Sequence, residues 1–344
     1  MTTGAPTNEI ELDALLSAPD ERTITALSSL SGDVLILGAG GKMGPTLARM
    51  ARRAITDPSR RVIAVSRFTD PAAASALQAT GVETIRADLA DPNAVTALPD
   101  APNVLWMAGQ KFGSTGDPVG TWTQNVVASA LAAQRFTGSR IVCFSTGNVY
   151  GRQAVARGGA REQDALVPDG EYAASCIGRE RVFESIARRT HTPLLLYRLF
   201  YACDLRYGVV ADIAHKVLHG VPVSLDTAYV NVIWQGDANR LALRALSLAT
   251  VPTAGESVAL NVTGTVVAVR DIAERVGAIA GVSPVFAGTP RDDALIANTD
   301  RLTERLPYTA LPLDTLCEWA VRWIRCDGRM LNKPTKFEVR DGRY

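Results

Sequence analysis

The strongest constraint on the fold comes from one stretch, DVLILGAGGKMGPTLARMARRA, at residues 33–54. It opens with a continuous apolar run, which is typical of a strand buried on both faces of a parallel sheet. The second half has a helical pattern, and Pro45 is tolerated there only in the first helical turn. Gly38, Gly41 and Gly44 lie between the two. This G-x-x-G-x-x-G spacing predicts a tight turn whose backbone approaches a pyrophosphate at the helix N-terminus.

The same alternation of apolar and helical segments continues to about residue 200. Further strands are predicted at 61–66, 82–87, 103–108, 140–146 and 193–200. Strands separated by helices imply right-handed crossovers and a parallel sheet with helices on both faces. The sequence therefore predicts an α/β fold, a Rossmann-type doubly wound parallel sheet with a smaller mixed α/β C-terminal substrate lobe.

The rhythm of the pattern divides the 344 residues into four parts. We expect an N-terminal helical extension at 1–30, a dinucleotide-binding Rossmann domain at 31–205, a substrate-binding lobe at 206–330 and a polar tail at 331–344. The chain is free to cross between the two lobes. The composition of the tail leaves open whether it wraps over a neighbouring lobe or over a second subunit.

Charge and cysteine usage exclude several classes of partner. The chain has 36 Lys plus Arg against 35 Asp plus Glu, so no global field attracts nucleic acid or an anionic membrane. Its five cysteines lack the spacing of a zinc site or a disulfide framework, and no metal is expected. No signal peptide or membrane span is predicted. These features favour a cytoplasmic protein with a small-molecule partner.

Two strand ends bear on the choice of dinucleotide. An NAD site usually has an acidic residue after the second strand, but Ser66 and Arg67 stand there, which favours NADP over NAD. Alternatively, Arg67 is only a solvated loop residue and does not bind the cofactor. Asp88 and Leu89 follow the third strand, where a carboxylate can bind the adenine amino group. Alternatively, Asp88 caps the helix that begins near Pro92.

In order and type these motifs resemble the extended short-chain dehydrogenase/reductase family, in its NAD(P)-dependent epimerase/dehydratase group, over about residues 33–325. MAGQKFG at 107–113 is similar to the nicotinamide-side loop of UDP-galactose 4-epimerases, with Lys111 in place of their lysine. Asn125, FSTGNVYG at 144–151, Tyr172 and the segment 231–237 also match. The predicted cofactor contacts are Gly38, Gly41, Lys42, Met43, Gly44, Ser66, Arg67, Asp88, Leu89, Met107, Ala108, Gly109, Lys111, Asn125, Tyr172 and Phe200.

The resemblance also implies catalytic residues. Thr146 takes the position of the catalytic serine or threonine and would bond a substrate oxygen as its charge changes. Tyr172 would exchange the proton as general acid and base. The predicted substrate contacts are Lys111, Thr146, Asn148 and Tyr201. A homodimer built on the helices around Ala130 and Cys176 is also implied.

Two positions depart from the family pattern. The lysine of Tyr-x-x-x-Lys is replaced by Cys176, and a thiol supplies no charge to lower the phenol pKa of Tyr172. Lys111 could approach from the opposite loop, whereas Arg179 lies about 10 Å further along the helix and is expected to be too distant. Tyr201 replaces the asparagine that usually follows the sixth strand. A nucleotide diphosphate is therefore weakly supported, and a polyol, keto sugar or hydroxy acid is at least as plausible.

Three functions fit these residues. The first is an NAD(P)-dependent oxidoreductase or epimerase acting on a carbinol or keto carbon of a sugar-like or small hydroxylated substrate. The second is a dinucleotide-binding protein with lapsed redox activity, used as a sensor or assembly subunit, in which Cys176 and Tyr172 only pack. The third is an enzyme that uses tightly bound NAD for transient oxidation during elimination or hydrolysis.

Overall fold

The computed structural model describes residues 4–331 and 335–343. Its helices are α1 (Glu9–Leu16), α2 (Glu21–Ser28), α3 (Gly44–Ala54), α4 (Pro71–Gln78), α5 (Pro92–Thr96), α6 (Pro118–Trp122), α7 (Ala128–Arg135), α8 (Gly170–Thr190), α9 (Val209–Leu218), α10 (Gln235–Ala245), α11 (Val269–Ala280), α12 (Asp300–Arg305) and α13 (Leu313–Arg325). A π-helical turn, Thr123–Val127, joins α6 to α7, and short 3₁₀ turns cover Gly147–Tyr150, Val155–Arg157 and Leu246–Leu248.

The strands divide into one large sheet and several short pairs. They are β1 (Val34–Leu37), β2 (Val62–Ser66), β3 (Glu83–Arg86), β4 (Asn103–Trp106), β5 (Arg140–Thr146), β6 (Gln153–Ala154), β7 (Leu194–Leu199), β8 (Ala202–Cys203), β9 (Val223–Ser224), β10 (Tyr229–Asn231), β11 (Ile233–Trp234), β12 (Ala259–Val262), β13 (Val266–Ala268), β14 (Phe286–Ala287) and β15 (Asp293–Ala294).

The large sheet has the order β12-β7-β5-β4-β1-β2-β3, and all its strands are parallel. This confirms the predicted Rossmann-type α/β fold. β1 is an interior strand and pairs with β2 on one side and β4 on the other. The strand order reverses between β1 and β4, so a crevice opens at their carboxyl ends, where open α/β sheets bind ligands.

Helices cover both faces of the sheet. They are needed there because successive apolar side chains of β1 point to opposite faces. Val34 and Ile36 pack into a buried cluster with side chains of α3 and α10. Leu35 and Leu37 point the other way, into a cluster with side chains of α7 and α8. A strand buried on both faces leaves no polar position, which explains the continuous apolar run in the sequence.

The N-terminal extension and β12 lie outside the regular alternation of strands and helices, but both pack against the rest of the chain. In the N-terminal extension, Leu12 and Leu16 of α1 are fully buried in a second core with α9, α11 and α13, and Leu27 of α2 is buried in the core that contains α3 and α10. β12, which lies within the predicted substrate lobe, forms an edge of the main sheet. The chain therefore returns to the sheet, while the domain division itself stays a prediction.

The described part of the tail lies on its own chain. The backbone N–H and hydroxyl of Thr335 donate to Asp212 on α9 at 3.0 and 2.6 Å. Phe337 is buried in the core formed by α9, α11 and α13. Of the two expected placements, this segment adopts the one over a neighbouring lobe; the rest of the predicted tail, residues 332–334 and 344, lies outside the described residues.

Candidate active site

The turn between β1 and α3 leaves a backbone surface open for a ligand. Gly38 has φ +92°, and a Cβ there would lie 2.4 Å from the backbone N of Ala108. A Cβ at Gly44 would lie 2.3 Å from the carbonyl oxygen of Ala39, whereas one at Gly41 would meet only the Gly38 oxygen at 3.5 Å. No side chain caps α3. An uncapped helix N-terminus beside open glycine backbone is a favourable site for an anionic phosphate.

Two cavities meet at this turn. One, of about 300 Å³, lies over the ends of β2 and β3. The other, of about 340 Å³, lies over the ends of β1, β5 and β7. Gly38, Gly41, Met107 and Gly109 line both. A groove with two arms and a glycine turn at the bend fits the two nucleoside halves of a dinucleotide and its pyrophosphate.

All but one of the residues predicted to contact cofactor or substrate line this groove. Those in the first arm alone are Ser66, Arg67, Asp88, Leu89 and Ala108. Those in the second arm alone are Lys42, Met43, Gly44, Lys111, Thr146, Asn148, Tyr172, Phe200 and Tyr201. The exception is Asn125.

In the first arm Ser66 and Arg67, not a carboxylate, stand at the end of β2, and Asp70, further along the same connection, also lines the arm. Ser66 sits so close to the turn that a Cβ at Gly40 would lie 2.4 Å from its hydroxyl oxygen, and Arg67 is exposed. Asp88 accepts the N–H of Ala90 at 3.0 Å. The N-cap of α5 is Asp91, so the alternative role of Asp88 as the helix cap is wrong.

The second arm contains the predicted catalytic pair. Thr146, at the end of β5, accepts hydrogen bonds from the backbone N–H of Asn148 at 3.2 Å and from its side-chain amide at 2.9 Å. The Tyr172 hydroxyl, on α8, interacts with the Thr146 hydroxyl and with the Cys176 thiol. Because Thr146 accepts twice from Asn148, its own hydrogen is available to Tyr172 or to a substrate oxygen.

Burial and the neighbouring Cys176 thiol raise the pKa of Tyr172, while Arg179 and the Thr146 hydroxyl act to lower it. Cys176 is fully buried, and burial raises the pKa of its thiol. Cys176 therefore supplies neither a positive charge nor a readily formed thiolate. In this arrangement Tyr172 holds its proton more tightly than a tyrosine in water does.

A positive charge approaches from the loop after β4. The Lys111 ammonium lies 5.7 Å from the centroid of the Tyr172 ring. Burial lowers the pKa of Lys111 to about 8, while Cys176 acts to raise it. Lys111 thus faces the pair Tyr172 and Cys176 from the side opposite to α8.

Arg179 provides a second cation beneath the site. Its guanidinium is buried and donates to the Asn125 side-chain oxygen at 2.6 Å and to the Phe144 carbonyl at 3.0 Å. Although two helical turns separate it from Tyr172, its charge acts to lower the pKa of both Tyr172 and Cys176. Distance along the helix therefore does not remove its influence, because the intervening medium is protein rather than water.

Asn125 lines neither cavity. It is fully buried, accepts the N–H of Gln110 at 2.8 Å and donates to the Gln110 carbonyl at 3.0 Å and to Ser175 at 2.9 Å. The π-helical turn Thr123–Val127 carries it, and such insertions often occur at functional sites. Asn125 positions the Lys111 loop against α8 instead of forming a wall of the groove.

Several groove residues could not be anticipated from the motifs. The Lys42 ammonium lies 3.2 Å from the ring centroid of Tyr207, which closes the second arm beside the glycine turn. Gln235, Leu295 and Thr335 also line this arm. Gln235 begins α10, within the segment 231–237 that matches the family pattern, whereas Leu295 and Thr335 come from distant loops and carry no local sequence signal.

Comparison with known proteins identifies the family. A family model described as the NAD dependent epimerase/dehydratase family matches residues 34–223. The chain belongs to this family. Its cofactor is accordingly a nicotinamide dinucleotide, and the resemblance seen in the sequence is confirmed. No curated protein matches this epimerase/dehydratase.

Solved structures share the fold of this epimerase/dehydratase at low identity. MoeE5 in complex with UDP-glucuronic acid and NAD has a TM-score of 0.67 and 24% identity, covering 86% of this chain and 100% of that one. UDP-glucose 4-epimerase from Thermotoga maritima with UDP-glucose has 0.67 and 18%, covering 85% and 98%. UDP-glucuronic acid 4-epimerase from Bacillus cereus with NAD has 0.69 and 18%, covering 87% and 99%.

The described residues contain neither a metal-binding cluster nor a membrane-spanning helix. Within residues 4–331 and 335–343, no group of three or more His, Cys, Asp or Glu side chains is arranged to hold a metal ion. None of the helices in the same ranges combines the length and apolar character needed to cross a membrane.

Proposed function

We propose that this epimerase/dehydratase transfers a hydride between NAD(P) and a carbinol carbon of a sugar-like or small hydroxylated substrate, with Tyr172 as the general acid and base. One observation carries the proposal. The side chains of Tyr172 and Thr146 line the same arm as the glycine turn, and their hydroxyls interact with each other. A substrate oxygen placed between them would meet a proton acceptor and a hydrogen-bond donor at once.

In the oxidation direction, Thr146 donates to the substrate oxygen and orients it. The Tyr172 oxygen, once deprotonated, takes the hydroxyl proton while the C–H bond breaks and a C=O bond forms. Oxidised NAD(P), when bound, supplies the hydride acceptor and a positive charge. In the reverse direction Tyr172 returns the proton to the carbonyl oxygen. Return of the hydride to the opposite face of the same carbon is epimerisation.

Activation of Tyr172 needs a cation, and Lys111 is the residue that we assign to it. A positive charge near a phenol favours the phenolate. Burial lowers the pKa of Lys111 to about 8, so the ammonium is present below that pH and is lost as the pH rises through it. Tyr172 would therefore be activated most effectively near neutral pH, where Lys111 still carries its charge.

NADP is the form of the dinucleotide that we propose. Arg67 at the end of β2 would bind the 2′-phosphate, and its replacement removes one charged hydrogen bond. We expect Arg67→Ala to weaken NADP binding by about 1.5–3 kcal/mol and to leave NAD binding unchanged, as measured by calorimetry with each dinucleotide. Equal loss for both dinucleotides, or wild-type protein that prefers NAD, would contradict the assignment.

The turnover of the variant Cys176→Lys distinguishes an active enzyme from a binding protein whose catalysis has lapsed. Cys176 is fully buried and close to the charges of Lys111 and Arg179. A third cation there would be repelled, so we expect the variant to lose stability and turnover, while Cys176→Ala keeps most of both. A large gain of dehydrogenase activity in Cys176→Lys would instead support the second candidate, a binding protein whose catalysis has lapsed.

A homodimer and a cytoplasmic location belong to the same proposal. Val119, Trp122 and Val127, on α6 and the π-helical turn, are exposed hydrophobic side chains beside α8. An isologous contact through these helices would cover them.

The proposed cytoplasmic location has a separate basis. All five cysteines are free thiols, which supports a reducing compartment.

A further inference from the structure

The second arm contains Thr146 and Tyr172 and is called the catalytic arm. Three chain segments bound its outer end. Tyr201 follows β7, Leu295 follows β15, and Thr335 belongs to the C-terminal tail. The arm measures about 340 Å³, near the lower end of the usual range of ligand pockets, about 300–1,000 Å³. The nicotinamide end of the dinucleotide must share this space, so the remaining room suits a substrate no larger than a monosaccharide.

The described tail, Thr335–Arg343, is anchored at several points. Thr335 bonds to Asp212, and Glu338 pairs with Lys216 on the same helix at 2.5 Å. Phe337 is only 5% exposed. Such a combination of a buried aromatic side chain and an ion pair distinguishes this segment from a frayed terminus.

Further along, the tail is fixed over the outer face of the site. Arg340 forms an ion pair with Asp293 and donates to the carbonyl of Asp226 at 3.0 Å. A Cβ built on Gly170, the first residue of α8, would lie 2.5 Å from the carbonyl oxygen of Gly342. The tail therefore bridges the C-terminal loops to the start of the helix that carries Tyr172.

A small cavity of about 30 Å³ lies next to the catalytic arm, and the tail side chains in its wall are Phe337, Val339 and Arg340. The small cavity shares Asn148, Tyr201 and Leu295 with the catalytic arm. These three residues therefore lie between the two spaces, and a substrate that extended past them would meet the tail side chains that line the small cavity.

The surface beneath the tail is poorly suited to an anionic extension of the substrate. The carboxylates of Asp169 and Asp293 flank Arg152, which pairs with both at 2.8 and 3.4 Å. Asp293 is also paired with Arg340. The arginines of this wall, Arg152 and Arg340, are already paired with these carboxylates, so a diphosphate that bound the arginines would free the carboxylates and then be repelled by them.

We propose that Thr335–Arg343 is the segment that determines substrate size, and that it restricts this enzyme to a compact, nucleotide-free hydroxylated substrate. The inference rests on the proposed function, because it concerns the substrate end of the same site. It sets this chain apart from neighbours solved with UDP-linked sugars.

The test uses UDP-glucose and bound NADPH as probes. We expect the NADP-loaded full-length protein to show no saturable binding of UDP-glucose by calorimetry. We also expect the fluorescence of bound NADPH to be shielded from acrylamide, and the quenching constant to rise several-fold in a chain that ends at Leu331. Arg340→Ala, which keeps the whole chain, should raise it in the same direction, whereas Arg343→Ala, an exposed arginine of the same segment, should not.

The outcomes separate the two proposals. Failure to bind any dinucleotide would refute the proposed function and not only the role of the tail. Tight, saturable binding of UDP-glucose to the wild-type protein would overturn the size restriction. Equal quenching constants in wild type and Arg340→Ala, both folded and loaded, would show that the tail does not cover the catalytic arm.

Discussion

Tyr172→Phe should lower turnover by about 10²–10⁴-fold, the usual contribution of a positioned acid or base. The change removes one oxygen, the only atom of this side chain that can exchange a proton with the substrate. The ring keeps its packing between Thr146, Cys176 and Lys111. Dinucleotide affinity should therefore change little. The measurement is a pair of titrations, one of turnover on a panel of hydroxylated substrates and one of NADP binding.

Tyr229→Phe is the matched control for this change. Tyr229 lies in β10, which pairs with β13, and it does not line either arm of the groove. Loss of the same hydroxyl there should leave turnover unchanged. If Tyr172→Phe retains wild-type turnover on a substrate that the wild-type enzyme converts, Tyr172 is not the acid and base.

Glu180→Ala should be the most destabilising of these substitutions, by about 3–5 kcal/mol in the free energy of unfolding. Glu180 accepts from Arg198 at 2.9 and 2.6 Å and from Ser145 at 2.5 Å, and it is fully buried. Removing it leaves the Arg198 guanidinium buried without a carboxylate. Because domains are stable by only about 5–15 kcal/mol, denaturant unfolding should show a large fall in the midpoint.

Glu184→Ala, one turn further along α8, is the control for helix propensity and charge. Glu184 pairs with Arg181 at 2.7 Å, and the Arg181 side chain is 61% exposed. The Glu184 side chain is 14% exposed, but its partner lies in solvent, and an ion pair screened in this way contributes about 0–1 kcal/mol, so this variant should lose much less stability than Glu180→Ala. Similar losses from Glu180→Ala and Glu184→Ala would show that the buried ion pair between β7 and α8 does not hold the catalytic helix.

The parts of the fold that sequence could predict are those with a local pattern. β1 is buried on both faces, so its apolar run is unbroken, and the glycine turn that follows requires Gly38 at φ +92°. Helix α9 ends just before Gly220, which adopts the left-handed conformation expected of a terminating glycine. The conformation of these residues depends on neighbours a few positions away in the chain, so the local sequence pattern is enough to predict it.

The parts that sequence could not predict depend on contacts between distant segments. In the sequence, Arg179 looks like an ordinary exposed helix residue. The fold places acceptors on Asn125 and Phe144 next to its guanidinium. Likewise, a polar composition gives no reason to expect Phe337 in a core or Thr335 in the wall of the site. Helical periodicity places Tyr172 and Cys176 on one face and the family resemblance suggests an approach by Lys111, but only the fold gives its distance of 5.7 Å from the Tyr172 ring centroid.

The most direct test of the assigned mechanism is the pH dependence of kcat on a hydroxylated substrate that the wild-type enzyme converts. Burial lowers the pKa of Lys111 to about 8, so the wild-type rate should fall as the pH rises through about 8, where the ammonium that activates Tyr172 is lost. Lys111→Met should lower kcat and abolish this alkaline fall, whereas Arg270→Met, which removes a surface cation outside the groove, should leave both unchanged. The same alkaline fall in wild type and Lys111→Met would contradict the account.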